Sequence, residues 1–327
     1  MDHERHPHVV NDPALDQFQG WAPADPQTIE QATDEHDVRP RSGFSEWVWP
    51  IGLFVATVFT TLWAGAYATN ADPFMGAWRF LIDNPAALSK GIPFAGTLLG
   101  ILVTHEFGHY LLSRIHRVPA SLPLFIPGPP HFIGTFGAII RMRGPILSRK
   151  ALFDIGVAGP IAGFIIAVIA LVFGLRWSVV VVDQGLFGLR LGEPLLLQFF
   201  TWLVIGPIQQ GYDVVLHPVA FAAWFGLFVT SLNLIPIGQL DGGHLAYALW
   251  GSRQRTIALA ILPVLLVLGF IGWPGWFLWA AMAGVLGLAH PPVQDPHTAL
   301  GRTRVWIGWA AMAIFALTFA PIPFSVH

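Results

Sequence analysis

The sequence predicts an all-α polytopic membrane protein of about six to seven transmembrane helices, with a short extended segment between the second and third. Apolar residues make up 54% of the 327 and charged residues only 11%, less than half the roughly 25% of a soluble domain. Mean hydropathy is +0.60, and the apolar residues fall in runs long enough to cross ~30 Å of hydrocarbon. This composition excludes a soluble enzyme. The absence of cysteine excludes disulfides, iron–sulfur clusters, thiolate zinc sites and a cysteine nucleophile. No basic patch stands outside the membrane-flanking positions, which argues against a nucleic-acid partner.

Residues 1–46 hold ten of the 19 acids and three of the 17 bases. They are polar, proline-punctuated and aperiodic, and read as a disordered acidic tail without the cationic and apolar regions of a signal peptide. His3, His6 and His8 lack a packed shell there and read as solvated. Residues 47–250 are expected to form a membrane-embedded core, and 251–327 a set of C-terminal transmembrane helices. Ile51 to Thr69 is the first span and carries no charge, and Ile92 to Ser113 is the second, carrying His105, Glu106 and His109. Ala151 to Leu175 is the third, charged only at Asp154. Pro218 to Trp250 follows, then Ile257 to Ala289, broken at Gly272-Trp273-Pro274-Gly275, and finally Val305 to Pro323. Leu195 to Pro207 is apolar but short for a crossing.

Arg114, Arg117, Arg141, Arg143, Arg149 and Lys150 lie between spans two and three with no acid among them. By the positive-inside rule that loop is cytoplasmic, which places the N-terminus in the cytoplasm. If the Trp-Pro-Gly break is a turn between two short spans, Arg302 and Arg304 are cytoplasmic too, giving seven crossings. A multi-pass protein of a bacterial cell membrane is the expected setting. Within the same loop, the proline-rich stretch Phe125 to Pro130 reads as a turn, and Phe132 to Met142 alternates as an extended segment would. Non-helical apolar backbone near a membrane has to line a cavity or be covered by protein. An exposed strand edge there can pair with an extended peptide; a connector packed on the helices is the alternative.

His105-Glu106-Phe107-Gly108-His109 is an H-E-x-x-H pattern. At i and i+4 on a helix, two imidazoles share one face and can converge on one zinc ion. The Glu between them is placed to act on water at the metal. With 13 His and six Glu in the chain, chance supplies roughly 0.01 such matches. Ionisable residues inside a span are costly and point to function; neutral histidines bonded across a bundle are the structural alternative. A catalytic zinc takes three protein ligands and keeps one position open. Asp154, Asp241 and His244 are the candidates for the third. Asp154 lies at a helix start beside Arg149 and Lys150, where capping and charge pairing explain it. His105 and His109 lie about 6–12 Å, and Asp241 about 13 Å, from the inner ends of their spans at helical rise, which favours Asp241. His244, one turn on, reads as a residue behind the ligands.

His105 to His109 in one span, with Asn233, Pro236 and Leu240-Asp241-Gly242 in a later one, resemble the site-2 protease family of intramembrane zinc metalloproteases. The second segment fits that family's N-x-x-P followed by L-D-G in full. Gly134-Thr135-Phe136-Gly137-Ala138 is similar to its reentrant extended segment, and Ala158-Gly159-Pro160 to Gly163 to the helix after it. The resemblance covers about Gly96 to Trp250. It implies one Zn2+ per chain held by His105, His109 and Asp241, with Glu106 as general base and acid. It further implies Asn233 on the substrate backbone, with Gly134, Thr135 and Gly137 along the substrate strand. No loop is long enough to hold an inserted folded module of ordinary domain size.

On the residues themselves, Asn233 serves equally well to satisfy the turn broken at Pro236. The Gly159/Gly163 pair suits close helix packing. The expected function is hydrolysis of peptide bonds in single-pass membrane proteins within the lipid bilayer. The alternative is a metal or proton transporter, but transporters usually spread polar residues over several repeated spans, whereas here they gather on two.

Overall fold

The computed structural model describes residues 43–70, 79, 82–83, 85–183 and 189–326. The acidic tail expected over 1–46 lies outside them except for its last four residues, which begin helix α1 (Gly43–Asn70). A 3-10 turn, Pro85–Gly91, leads into α2 (Ile92–Ile115). Proline at the second position of α2 suits a helix start, where its missing N–H has no intrahelical partner to lose. After a long connector comes α3 (Arg149–Arg176), whose Ser148 side chain accepts the Ala151 N–H at 3.2 Å. The ten-residue helix α4 (Leu195–Val204) precedes α5 (Pro218–Asn233), which is capped by the His217 ring.

Among the described residues, four helices are long and apolar enough to cross a membrane: Trp47–Thr69, Pro85–Ile115, Arg149–Arg176 and Arg253–Ile271. By length and composition the chain is an integral membrane protein. Leu195–Val204, Pro218–Asn233 and Gly275–Val285 are apolar but shorter. The apolar region Pro218 to Trp250 is two helices rather than one, α5 and α6 (Asp241–Trp250). Pro236 has no N–H for a helical ladder, and Gly238 takes a positive φ of 53°. The Gly272–Pro274 break likewise separates α7 (Arg253–Ile271) from α8 (Gly275–Leu286), and α9 (Arg302–Thr318) follows.

The core is built where α2, α3 and α5 meet. Leu98 and Ile101 on α2, Leu171 on α3, and Trp224 and Leu227 on α5 are all fully buried in one apolar cluster. Glycine sets the spacing: a Cβ on Gly174 of α3 would lie 2.3 Å from the backbone nitrogen of Ala220 on α5. Among the described residues, strands occur in the connectors and after the last helix, as three two-stranded antiparallel sheets. β1 (Leu124–Pro127) pairs with β2 (Thr135–Ile139), so the expected extended segment is a strand. Its partner takes up Phe125 to Pro127, which proline content alone had assigned to a turn. β3 (Val179–Val182) pairs with β5 (Tyr212–Val215), and β4 (Leu189–Leu191) with β6 (Phe324–Val326).

The ends of α2, α3, α6 and α9 are tied by charge. Asp154 on α3 receives both Nε and a terminal nitrogen of Arg304 on α9 at 2.7 Å, and His116 Nε2 at the end of α2 at 2.9 Å. Arg149 donates to the Ala248 and Leu249 carbonyls at the C-terminal end of α6, where a helix has unpaired acceptors. Asp154 is therefore engaged in this latch. Asp154→Ala should cost about 1–2 kcal/mol, because it leaves the partly exposed Arg304 guanidinium and the His116 ring without their shared acceptor, and should leave metal content unchanged. Thermal unfolding and metal analysis of the purified variant check both.

Candidate metal centre

His105, Glu106 and His109 are buried on α2, inside the bundle. What lets the two imidazoles stand between α2 and α3 is the run of glycines on α3. A Cβ at Gly159 would lie 2.1 Å from His109 Nε2, and one at Gly163 would lie 3.1 Å from His105 Cβ. On α2 itself, a Cβ at Gly108 would come within 2.7 Å of the Ala158 carbonyl. The pair Gly159/Gly163 thus serves packing, as its spacing suggests. What it packs against is the histidine pair.

Asp241 arrives from the first turn of α6. Its Oδ2 lies 3.3 Å from His105 Nε2 and 3.3 Å from His109 Nε2, and the two Nε2 atoms are 3.2 Å apart. Among the described residues this is the single group of three such side chains within ligand reach of one another. His109 Nδ1–H donates to the Ile155 carbonyl at 2.7 Å. In the neutral ring Nε2 then carries a lone pair, the form in which imidazole binds a metal. Three donors at corners of a tetrahedron with arms of about 2.0 Å stand about 3.3 Å apart. The observed triangle has that size. Three lone-pair donors at this separation repel one another, and a cation between them removes the conflict.

Asn233, the last residue of α5, places its amide nitrogen 3.3 Å from His105 Nε2. Of the other residues singled out for substrate, Gly134 and Thr135 have internal partners. Gly134 takes φ 76°, its carbonyl accepts from Thr60 on α1 at 2.6 Å, and a Cβ would lie 2.3 Å from the Thr60 carbonyl. The buried Thr135 hydroxyl donates to the Ile126 carbonyl at 2.9 Å. Gly137 differs: with φ 94° it faces open space. His244 stands outside the donor triangle, and its Nδ1 meets His290 Nε2 at 2.7 Å. Neither His290 nor the Arg304–Asp154 latch was visible to spacing rules, because each partner comes from a distant part of the chain.

The family model for peptidase family M50 matches residues 93–271, more than half of the chain, and takes in His105, Glu106, His109, Asn233 and Asp241. The chain belongs to peptidase family M50. This is the site-2 protease family that the two motifs resemble. The chain is 30% identical over 241 residues to the probable zinc metalloprotease EGY2, chloroplastic, of Arabidopsis thaliana, covering 72% of this chain and 41% of the relative. Its counterpart in Oryza sativa subsp. indica is 28% identical over 253 residues, covering 74% and 44%. The Arabidopsis EGY1 protein, also named a probable zinc metalloprotease, is 34% identical over 173 residues, covering 50% and 30%. The chain thus spans less than half the length of these M50 relatives. No solved structure matches it.

The glycine contacts make a graded test of the M50 centre. Gly159→Ala should weaken zinc binding at least 10-fold, since the methyl group occupies the His109 ring position. Gly163→Ala, with 3.1 Å to give, should weaken it less. Zinc competition with a chelator on the two purified variants measures both, and equal affinities would show that His109 has another seat.

Proposed function

We propose that the chain is an intramembrane zinc endopeptidase, cleaving single-pass membrane proteins within the bilayer. The observation that carries this reading is the three-donor triangle His105–His109–Asp241 with the buried Glu106 on the same helix. Zinc, when bound by those three side chains, supplies Lewis-acid polarisation and makes water a nucleophile near neutral pH. Glu106 takes a proton from the attacking water as the new C–O bond forms. It then delivers that proton to the amide nitrogen as the C–N bond breaks. Asn233, at the end of α5 with its amide nitrogen 3.3 Å from His105 Nε2, is placed to donate to a substrate carbonyl beside the metal position.

A transmembrane substrate has its peptide bonds shielded by helical hydrogen bonds, so it has to be unwound first. β2 belongs to a two-stranded sheet, and its second edge can take up an extended substrate segment. Gly137 is the substrate-facing position of the three, and Gly134 and Thr135 hold the strand in place. On this reading residues 47–250 carry the chemistry and 251–327 complete the bundle. The arginine-rich connector then lies in the cytoplasm with the N-terminus. A bacterial cell membrane is the setting we favour, and the named relatives are chloroplastic proteins.

Glu106→Gln keeps the shape of the side chain but cannot accept the proton. It should retain zinc and co-purify with uncut substrate, while turnover of a model membrane substrate falls about 10²-fold or more. If wild type cuts nothing and the variant changes only zinc or proton flux, the transporter reading takes its place. Single cysteines at positions 143, 253 and 302 should be labelled only from the cytoplasmic side, and one at position 70 only from the other. Outside labelling at 302 would reduce the crossings to six.

A further inference from the structure

Asp241 opens α6, and the helix start has no side-chain cap. The N-cap position is Leu240, which has no polar side chain to offer, and Asp241 next to it is turned toward the histidines. Something else has to fix this turn, because its one carboxylate oxygen must stay 3.3 Å from two imidazoles at once. We propose that His290 and Gln254 are the positioning residues of the metal centre, acting through His244 and the turn Leu234–Leu240. This rests on the metal-centre reading above and adds two residues that lie outside both motifs, 13 and 49 positions beyond Asp241.

The contacts form one closed set. His290 Nδ1 faces the Pro291 carbonyl, which only accepts, so Nδ1 carries the proton and Nε2 is an acceptor. His244 Nδ1–H therefore donates to it across 2.7 Å. The Tyr247 ring stacks on His290 at 4.7 Å between centroids. His244 is seated on α3 as well, since a Cβ at Gly156 would come within 2.9 Å of its own Cβ. Gln254, 1% exposed at the start of α7, joins the same loop to the broken helix. Its carbonyl accepts the His290 N–H at 3.0 Å. Its amide nitrogen donates to the carbonyls of Leu288 at 3.0 Å and Pro236 at 3.5 Å. The Leu288 carbonyl also receives the Gly238 N–H at 3.3 Å.

The loop 288–290 is thereby tied to the turn at Pro236 and Gly238 on one side of Asp241 and to His244 of α6 on the other. A buried polar network whose members are all satisfied is rigid and fixes one arrangement. Partners that orient metal ligands from behind typically change metal affinity 10–100-fold when removed.

The test uses the full-length protein in detergent, with zinc affinity read by chelator competition. His290→Phe keeps the ring and the Tyr247 stack but offers no acceptor, and His290→Gln offers a carbonyl oxygen near the Nε2 position without the ring. The expected result is a 10–100-fold weaker zinc affinity for His290→Phe, with His290→Gln near wild type. A space-filling role predicts the opposite order, and that order, or equal affinities, overturns the proposal. If His290→Phe does not fold, the nitrogen NMR shifts of His244 in wild type decide. An Nδ1-protonated ring supports the brace, and an Nε2-protonated ring overturns it. Wild type that binds no zinc would instead remove the metal-centre reading itself.

Discussion

The His109 ring rests against Gly159 so closely that a single methyl group at that position would occupy its Nε2. The arrangement of the site follows from this approach of α2 to α3. With glycine at 159 and 163 the two helices can stand near each other and still hold two imidazoles between them. The Ile155 carbonyl, one turn before Gly159, then meets His109 Nδ1 and turns the Nε2 lone pair toward Asp241. Glycine in a helix interior costs about 0.5–1 kcal/mol relative to alanine. Four of them at 156, 159, 163 and 174 of one helix weaken it locally, and burial of Phe153, Leu171 and Leu175 beside them offsets that.

The second requirement is a carboxylate delivered from the side, and an unbroken helix does not provide it. A continuous helix through Pro218 to Trp250 would separate Asn233 and Asp241 by eight residues, about 12 Å of axial rise. The non-helical Leu234–Leu240 segment folds the chain back so that both side chains reach the same histidine. Glycine again permits the geometry: a Cβ on Gly242 would lie 2.0 Å from the Leu234 carbonyl, and one on Gly243 would lie 2.3 Å from that of Gly238. Proline starts the break and two glycines close it.

Much of this was legible in the sequence because it is local. H-E-x-x-H places two imidazoles on one helix face by helical period alone, and long apolar runs mark the candidate spanning helices by length. Asp241 was reachable through depth in the membrane, a one-dimensional measure that survives folding. Hydropathy shows Pro218 to Trp250 as one apolar region because it is blind to backbone geometry; Pro236 and the glycines signal the break that separates α5 from α6. The strand pairing of Phe125–Pro127 with β2 was hidden behind its prolines. His290, Gln254 and the Asp154–Arg304 pair join residues 36 to 150 positions apart, and no periodicity reports such separations.

Charge balance ties the site to its surroundings. Ionisable side chains buried in a bilayer are costly unless neutralised in place, and Asp241 and Glu106 together can present two negative charges. A divalent cation cancels both, and the neutral histidines add donors without adding charge. The same argument explains why the remaining charges sit where they do. Arg149, Asp154 and Arg304 lie in the first two turns of their helices, paired with one another or with helix-end carbonyls. The bundle interior thus keeps charge in one self-compensating cluster, and the helix ends keep theirs in another. Removing the metal leaves the first cluster with uncompensated charge and the second intact. The region around Asp241 is therefore expected to loosen first on metal loss, while the Asp154 latch holds α3 against α9.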